Sequence, residues 1–160
     1  MRSGTEETLG RTREIARAQG DRRARARSIA ELIRAARGYR WVGLYDVGPS
    51  LIMAIAWTGS EAPGHPTFPV DQGLNGAAVT ARAPIIVQDV RHDSRYLTTF
   101  GSTRAEAIFP VLSAKGLVLG TIDVESDRID AFGSEDEAFL NRCATAIASL
   151  WSIPPAANLA

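Results

Sequence analysis

The chain has 160 residues with 18 Lys and Arg against 18 Asp and Glu, and is 45% hydrophobic and 22% charged. That is the make-up of one ordinary globular domain rather than a disordered or fibrous segment. A formal net charge of zero gives no bulk attraction to nucleic acid or an anionic membrane, and no apolar run approaches the ~20 residues that span a bilayer. A single cysteine excludes an intramolecular disulfide, and without an apolar signal core at the N-terminus the expected setting is reducing and cytoplasmic.

Residues 5–37 read as two helices. Gly20 ends the first and Asp21 can cap the second. Residues 1–37 hold ten arginines against five acids, and the remainder is correspondingly acidic. In the second helix Ala26, Ile29, Ala30, Ile33 and Ala36 make one apolar stripe, with arginines on the opposite side. A basic helical face could bind nucleic acid. This one lacks interleaved aromatics and is diluted by Glu14, Asp21 and Glu31, so the expectation is a solvated face or a helix–helix interface. The first helix has only Leu9 and Ile15 as large apolar residues, which suggests packing against a partner chain and a homodimer formed through the terminal helices.

Tyr39–Asp46 and Leu51–Trp57 are strands by composition, joined by the turn Val47-Gly48-Pro49-Ser50. Trp41, Gly43 and Tyr45 share one face, a glycine floor bounded by two rings that could hold a cation or an apolar group. Strand aromatics also serve simply as core. Gly59–Gln72 is broken by glycines and prolines and is long enough to cover a site. A helix starts near Gly73-Leu74-Asn75-Gly76, its free N–H groups suited to an anionic group. Pro84–Val90 is a short strand, followed by an irregular stretch from Arg91 to Arg104. His65 and His92 are isolated, no serine sits in a nucleophile elbow and no phosphate loop is present, so neither a metal nor a cofactor is expected.

Ala105–Ser126 then reads as a hairpin about Lys115-Gly116. A two-residue loop pairs Ala114 with Leu117, Leu112 with Leu119, Pro110 with Thr121, Ile108 with Asp123 and Glu106 with Glu125. Strand alternation puts Glu106, Asp123 and Glu125 on one face and Val118, Ile122 and Val124 on the other. Like charges facing one another destabilise a sheet, so the three acids suggest a positively charged guest or partner, or else a wet, solvated sheet end. Pro110 warns of a bulge, which would shift the register by one. In the last helix Ser134 and Glu137 form a capping box, and Phe139, Cys143, Ile147 and Leu150 make the buried stripe before Pro154-Pro155. Cys143 therefore reads as a core residue rather than a nucleophile.

This order of elements gives an α+β fold: an antiparallel sheet with the terminal helices on one face, and loops and a short helix over a pocket on the other. The order, together with W-V-G-L-Y (41–45), G-L-N-G-A-A (73–78), V-Q-D-V-R-H-D-S-R-Y (87–96), G-T-I-D-V-E-S (120–126) and F-G-S-E-D-E-A-F-L (132–140), resembles the GAF domain family. The resemblance covers about residues 22–152, leaving 1–21 as an N-terminal helical arm and 153–160 as a tail. Within the family the chain is similar to the branch that reduces free methionine-R-sulfoxide.

The resemblance implies that Trp41 and Tyr45 match substrate-cradling aromatics, and that Glu106, Asp123 and Glu125 match pocket acids. The branch's cysteines do not match: Asn75, Thr99 and Ile85 stand in their places. Reducing a sulfoxide this way takes an attacking thiolate and a second thiol, and neither is present. The implied function is a non-catalytic, small-molecule-binding GAF domain, its ligand amino-acid-like or cationic and held by Trp41, Tyr45, Asn75, Glu106, Asp123 and Glu125. The alternatives are a free methionine-R-sulfoxide reductase, or a ligand-free dimerisation module in which Trp41 and Tyr45 are packed shut. Bilin attachment lacks its cysteine. For cyclic-nucleotide binding only the second half of the motif is present, at Phe132–Glu137.

Overall fold

The computed structural model describes residues 2–98 and 100–152, so the expectations at Thr99, at Pro154-Pro155 and for the 153–160 tail lie outside the described residues. The elements are α1 (Arg2–Arg17), α2 (Arg22–Arg37), β1 (Trp41–Val47), β2 (Leu51–Thr58), β3 (Thr67–Pro69), α3 (Gly73–Ala81), β4 (Ile85–Val87), β5 (Ala105–Leu112), β6 (Val118–Ser126) and α4 (Ser134–Ala146). Single 3₁₀ turns lie at Val90–His92 and Ala148–Trp151. Six antiparallel strands run in the order β3-β2-β1-β6-β5-β4. Helices α1, α2 and α4 form a layer on one face, and α3 packs against β4, β5 and β6 from the other. The expected α+β architecture is therefore the observed one, and no helix among the described residues is long and apolar enough to cross a membrane.

The helix layer is built from the stripe seen in the sequence. The Asp21 side chain accepts the Arg23 N–H to start α2, and Gly38, at φ 67°, ends it by donating its N–H to the Arg34 carbonyl. Ala26, Ile29, Ala30 and Ile33 are buried against the sheet, but Ala36 is exposed: it sits in the last turn, lining an open groove between α1, α2 and α4. The first helix also departs from expectation. Small residues let it dock within its own chain, burying Leu9, Thr12 and Ala16, and the Thr12 hydroxyl is satisfied by the Leu9 carbonyl at 2.9 Å. The Arg25 guanidinium reaches the Ile15 and Ala16 carbonyls at the C-terminal end of α1, and Glu6 pairs with Arg142 of α4 at 2.7 Å. No partner chain is needed to cover α1.

Where both ends of the domain meet the sheet, Arg22 donates two bonds to Asp46 (2.9 and 2.6 Å) and one to the Leu150 carbonyl. Trp151 donates its indole N–H to the same aspartate at 2.8 Å and lies beneath the Arg22 guanidinium, 5.6 Å away. Asp46 thus ties the start of α2 and the 3₁₀ turn Ala148–Trp151 to β1.

Other corrections are local. The stretch 59–72 contains β3, an edge strand, where Pro69 needs no ladder N–H. The fourth strand is only Ile85–Val87, giving way to a 3₁₀ turn at Val90. Helix α4 is capped one residue earlier than Ser134/Glu137 suggests: the Gly133 N–H donates to the Asp136 carboxylate at 2.9 Å, which leaves half a capping box because glycine has no side chain to return the bond. Phe139, Cys143, Ile147 and Leu150 are buried as expected, the last two after the helix has tightened into a 3₁₀ turn.

The β5–β6 hairpin departs from its expected turn yet keeps its expected register at the acids. Ser113 donates to the Leu117 carbonyl and Gly116, at φ +80°, closes a three-residue loop, Ala114-Lys115-Gly116. Leu112 accordingly faces Val118 rather than Leu119, and Ala114 does not pair with Leu117. One extra residue on β6, between Val111 and Leu112 in the ladder, offsets the longer loop. Beyond it Pro110 faces Thr121, Ile108 faces Asp123 and Glu106 faces Glu125.

Candidate functional site

Trp41 lies opposite Glu125, Gly43 opposite Asp123 and Tyr45 opposite Thr121 across β1 and β6, while Glu106 of β5 faces Glu125 from the other side. Period-two alternation sends all of these side chains to the face away from the helices. One oxygen from each of Glu106, Asp123 and Glu125 lies within 4.8 Å of the others. The three are not solvated: they are 4%, 2% and 1% exposed. The wet sheet end weighed from the sequence is therefore not what the fold builds.

Helix α3 brings Asn75 down onto the acids. Its amide N–H donates to Asp123 Oδ2 at 3.1 Å, and its carbonyl oxygen accepts from the Thr121 hydroxyl at 2.5 Å. The amide orientation is dictated, since a flip would set two oxygens face to face. Asp123 Oδ1 is buried, and no N–H or hydroxyl group donates to it. Burial holds the Glu106 carboxyl well above the usual carboxylate range, and the charges of Asp123 and Glu125 add to it. Burial also pushes Asp123 up to about 6, against hydrogen bonds from Glu106 and Asn75 that favour its ionised form. Of the two coupled groups, burial and the neighbouring charges favour the protonated form most at Glu106, which hydrogen-bonds Asp123.

The rings close the other side. Trp41 and Tyr45 are each 2% exposed, and a methyl at Gly43 would overlap the Trp41 ring and come within 3.0 Å of Tyr45 Cε2. The two rings lean together over the glycine instead of standing apart around an open floor, as the sequence suggested. Phe100 packs edge-on against Trp41 (centroids 5.4 Å apart), Phe68 against Tyr45 (6.0 Å), and Leu97 joins the same cluster. The Trp41 indole N–H is satisfied by the Glu61 carbonyl at 3.0 Å. Burial keeps the Tyr45 phenol neutral, and the three neighbouring acids reinforce the effect.

All six residues singled out in the sequence meet here, and three were missed. Thr121 was within reach of the hairpin register, which places it opposite Pro110 on the acid face. Phe68 and Phe100 come from stretches with no periodicity to read. Of the positions matching cysteines in the reductase branch, Asn75 is in the acid network and Ile85 packs against the small apolar cluster of Leu74, Ala78 and Ile108. Cys143 lies in the core on the helix side of the sheet, fully buried, and burial pushes its thiol up to about 12. It is no nucleophile. Neither His65 nor His92 belongs to a group of potential metal ligands among the described residues, where only the three acids form one.

The GAF domain model matches residues 23–152. The chain belongs to the GAF domain family. A solved structure of a type II free methionine-R-sulfoxide reductase from Thermoplasma acidophilum is 30% identical, with TM-score 0.77 over 88% of this chain and 94% of that one. The free methionine-R-sulfoxide reductase of Neisseria meningitidis, solved in complex with its substrate, superposes with TM-score 0.81 at 22% identity over 92% of this chain and 87% of that one, a likeness of fold. Among curated relatives, the free methionine-R-sulfoxide reductase of Saccharomyces cerevisiae is 30% identical over 76 residues, and GAF domain-containing protein A of Dictyostelium discoideum 28% over 104 residues. The matched segments span 48% and 64% of this GAF domain protein but only 42% and 63% of those relatives.

Proposed function

We propose that this GAF domain is a non-catalytic binder of a small ligand that is amino-acid-like or otherwise cationic, in a sensory or regulatory role. The observation that carries this reading is the convergence of three buried carboxylates beside two aromatic rings. Such a group is costly unless something positive, or a proton, resides there. The similarity to reductases of a free amino-acid derivative supports a ligand of that size and kind. Pairing of two copies through the terminal helices in a reducing cytoplasm belongs to the same proposal, as does independence from nucleic acid and membrane. Its supports are the open groove between α1, α2 and α4, the neutral net charge and the single thiol.

The competing reading is a free methionine-R-sulfoxide reductase. It is disfavoured by chemistry, because the only thiol of the chain is buried across the sheet from the acids. A thioredoxin-coupled NADPH assay with free methionine-R-sulfoxide separates the two: the expected result is no NADPH oxidation above the blank, and turnover would make the chain an enzyme. In parallel, thermal unfolding against a panel of free amino acids and amines is expected to show stabilisation by at least one of them. No shift across the whole panel would sink the binding reading.

A further inference from the structure

A site for a positive guest leaves three chemistries open: a divalent metal ion, an alkylammonium, or a flat delocalised cation. We propose that the site takes a guanidinium-type cation, with its N–H edge on Glu106, Asp123 and Glu125 and its face against Trp41 and Tyr45. This rests on the ligand-binding reading and narrows it.

The first support is Asp123 itself. It is 2% exposed; Asn75 fixes Oδ2, and Oδ1 is buried, with no N–H or hydroxyl group donating to it. A donor for that oxygen has to come from a guest or from a proton shared with Glu106.

The second is the layout of the sheet face. The acids on β5 and β6 and the rings on β1 lie side by side, in register through Glu125–Trp41 and Asp123–Gly43. A guanidinium carries its donors in one plane and can fork onto neighbouring carboxylates while its faces stack on rings, so it uses both rows at once. An ammonium directs its donors tetrahedrally and has no flat face. A hard divalent ion wants six or more oxygen ligands or retained water, and the ring side of this site supplies none.

The third support is the cost of burial. A cation entering a site whose acids are 1–4% exposed gives up its water, and a guanidinium is more weakly hydrated than an ammonium. Trp41 and Tyr45 add cation–π attraction that strengthens as water is excluded.

The test is calorimetric titration of the full chain at pH 6.5 with butylguanidinium, butylammonium, magnesium chloride, calcium chloride and free methionine-R-sulfoxide. Butylguanidinium is expected to bind about tenfold or more tightly than butylammonium, and Asp123→Asn to weaken it by about tenfold or more. In wild type the measured heat should vary with the ionisation enthalpy of the buffer, because the guest displaces the shared proton. This readout needs no variant to fold. Equal or tighter butylammonium binding, or binding of the metal ions alone, overturns the guanidinium assignment. Binding of methionine-R-sulfoxide without butylguanidinium overturns it while leaving the broader ligand reading intact. No heat from any of the five probes overturns both.

Discussion

Raising the pH from 5 to 8 is expected to lower the thermal stability of this protein, with no ligand added, and Glu106→Gln is expected to lessen that fall. Glu106 and Asp123 both have folded-state values above their unfolded ones, because burial penalises their charged forms. Over that interval the folded chain binds more protons than the unfolded chain, so stability falls as pH rises. The contribution is fully present below the unfolded values near 4. It is lost as pH rises through about 6 for Asp123 and through the raised value of Glu106. For Asp123, moved from 3.8 to about 6, the whole shift is worth about 3 kcal/mol, of which about 1.5 kcal/mol, or roughly 3–6 °C in Tm for a domain of this size, is lost between pH 5 and 8.

Groups shifted the other way do not mask the effect. Asp89, held at about 2 by Arg91, and Asp93 and Asp136, also held low, lose their contributions only in acid. Glutamine at 106 keeps an N–H for Asp123 but has nothing to ionise. The variant should therefore fall less steeply than wild type across the interval, keeping only the Asp123 part of the loss. Parallel unfolding curves for the two proteins from pH 5 to 8 would contradict the account.

Gly120→Ala is expected to destabilise the protein by about 3 kcal/mol, far more than an alanine in a strand usually costs. A methyl at Gly120 would overlap both the Trp151 ring and the Tyr45 carbonyl oxygen. The backbone oxygen cannot yield without breaking the β1–β6 ladder, and the indole is held by its bond to Asp46 and by the Arg22 guanidinium above it. The control is Gly10→Ala in α1, where a methyl meets nothing within 4 Å. Mid-helix glycine costs up to ~1 kcal/mol relative to alanine, so that substitution should stabilise. The same chemical change is thus expected to have opposite signs at two sites, and chemical denaturation measures both. A Gly120→Ala variant within about 0.5 kcal/mol of wild type would show that Trp151 does not occupy that position.

The acid cluster was legible in the sequence because strand alternation and one hairpin fix it. It survived a wrong turn because the longer loop and the bulge on β6 cancel, returning Glu106 to Glu125. Helix α2 was legible for a similar reason, a cap and a period within a few residues of one another. Burial of the acids was not legible. It depends on α3, whose Asn75 reaches Asp123 from far away in sequence, and no local pattern records that. Nor was the lean of Trp41 and Tyr45 over Gly43, since alternation gives a face but not a rotamer. The docking of α1 was misjudged because, beside Leu9, its contact is made by Ala16 and Thr12, small residues that hydrophobic periodicity underweights.

The central claim is that Glu106, Asp123 and Glu125 form a buried receptor that holds a proton until a cation takes its place. Carbon-13 NMR of the side-chain carboxyls, titrated from pH 4 to 9, tests it most directly. The account predicts one Glu resonance, absent from Glu106→Gln, that titrates well above the usual carboxylate range and shifts to the ionised form when a cationic ligand binds. Three carboxyls that are all ionised by pH 5, like those at the surface, would contradict it.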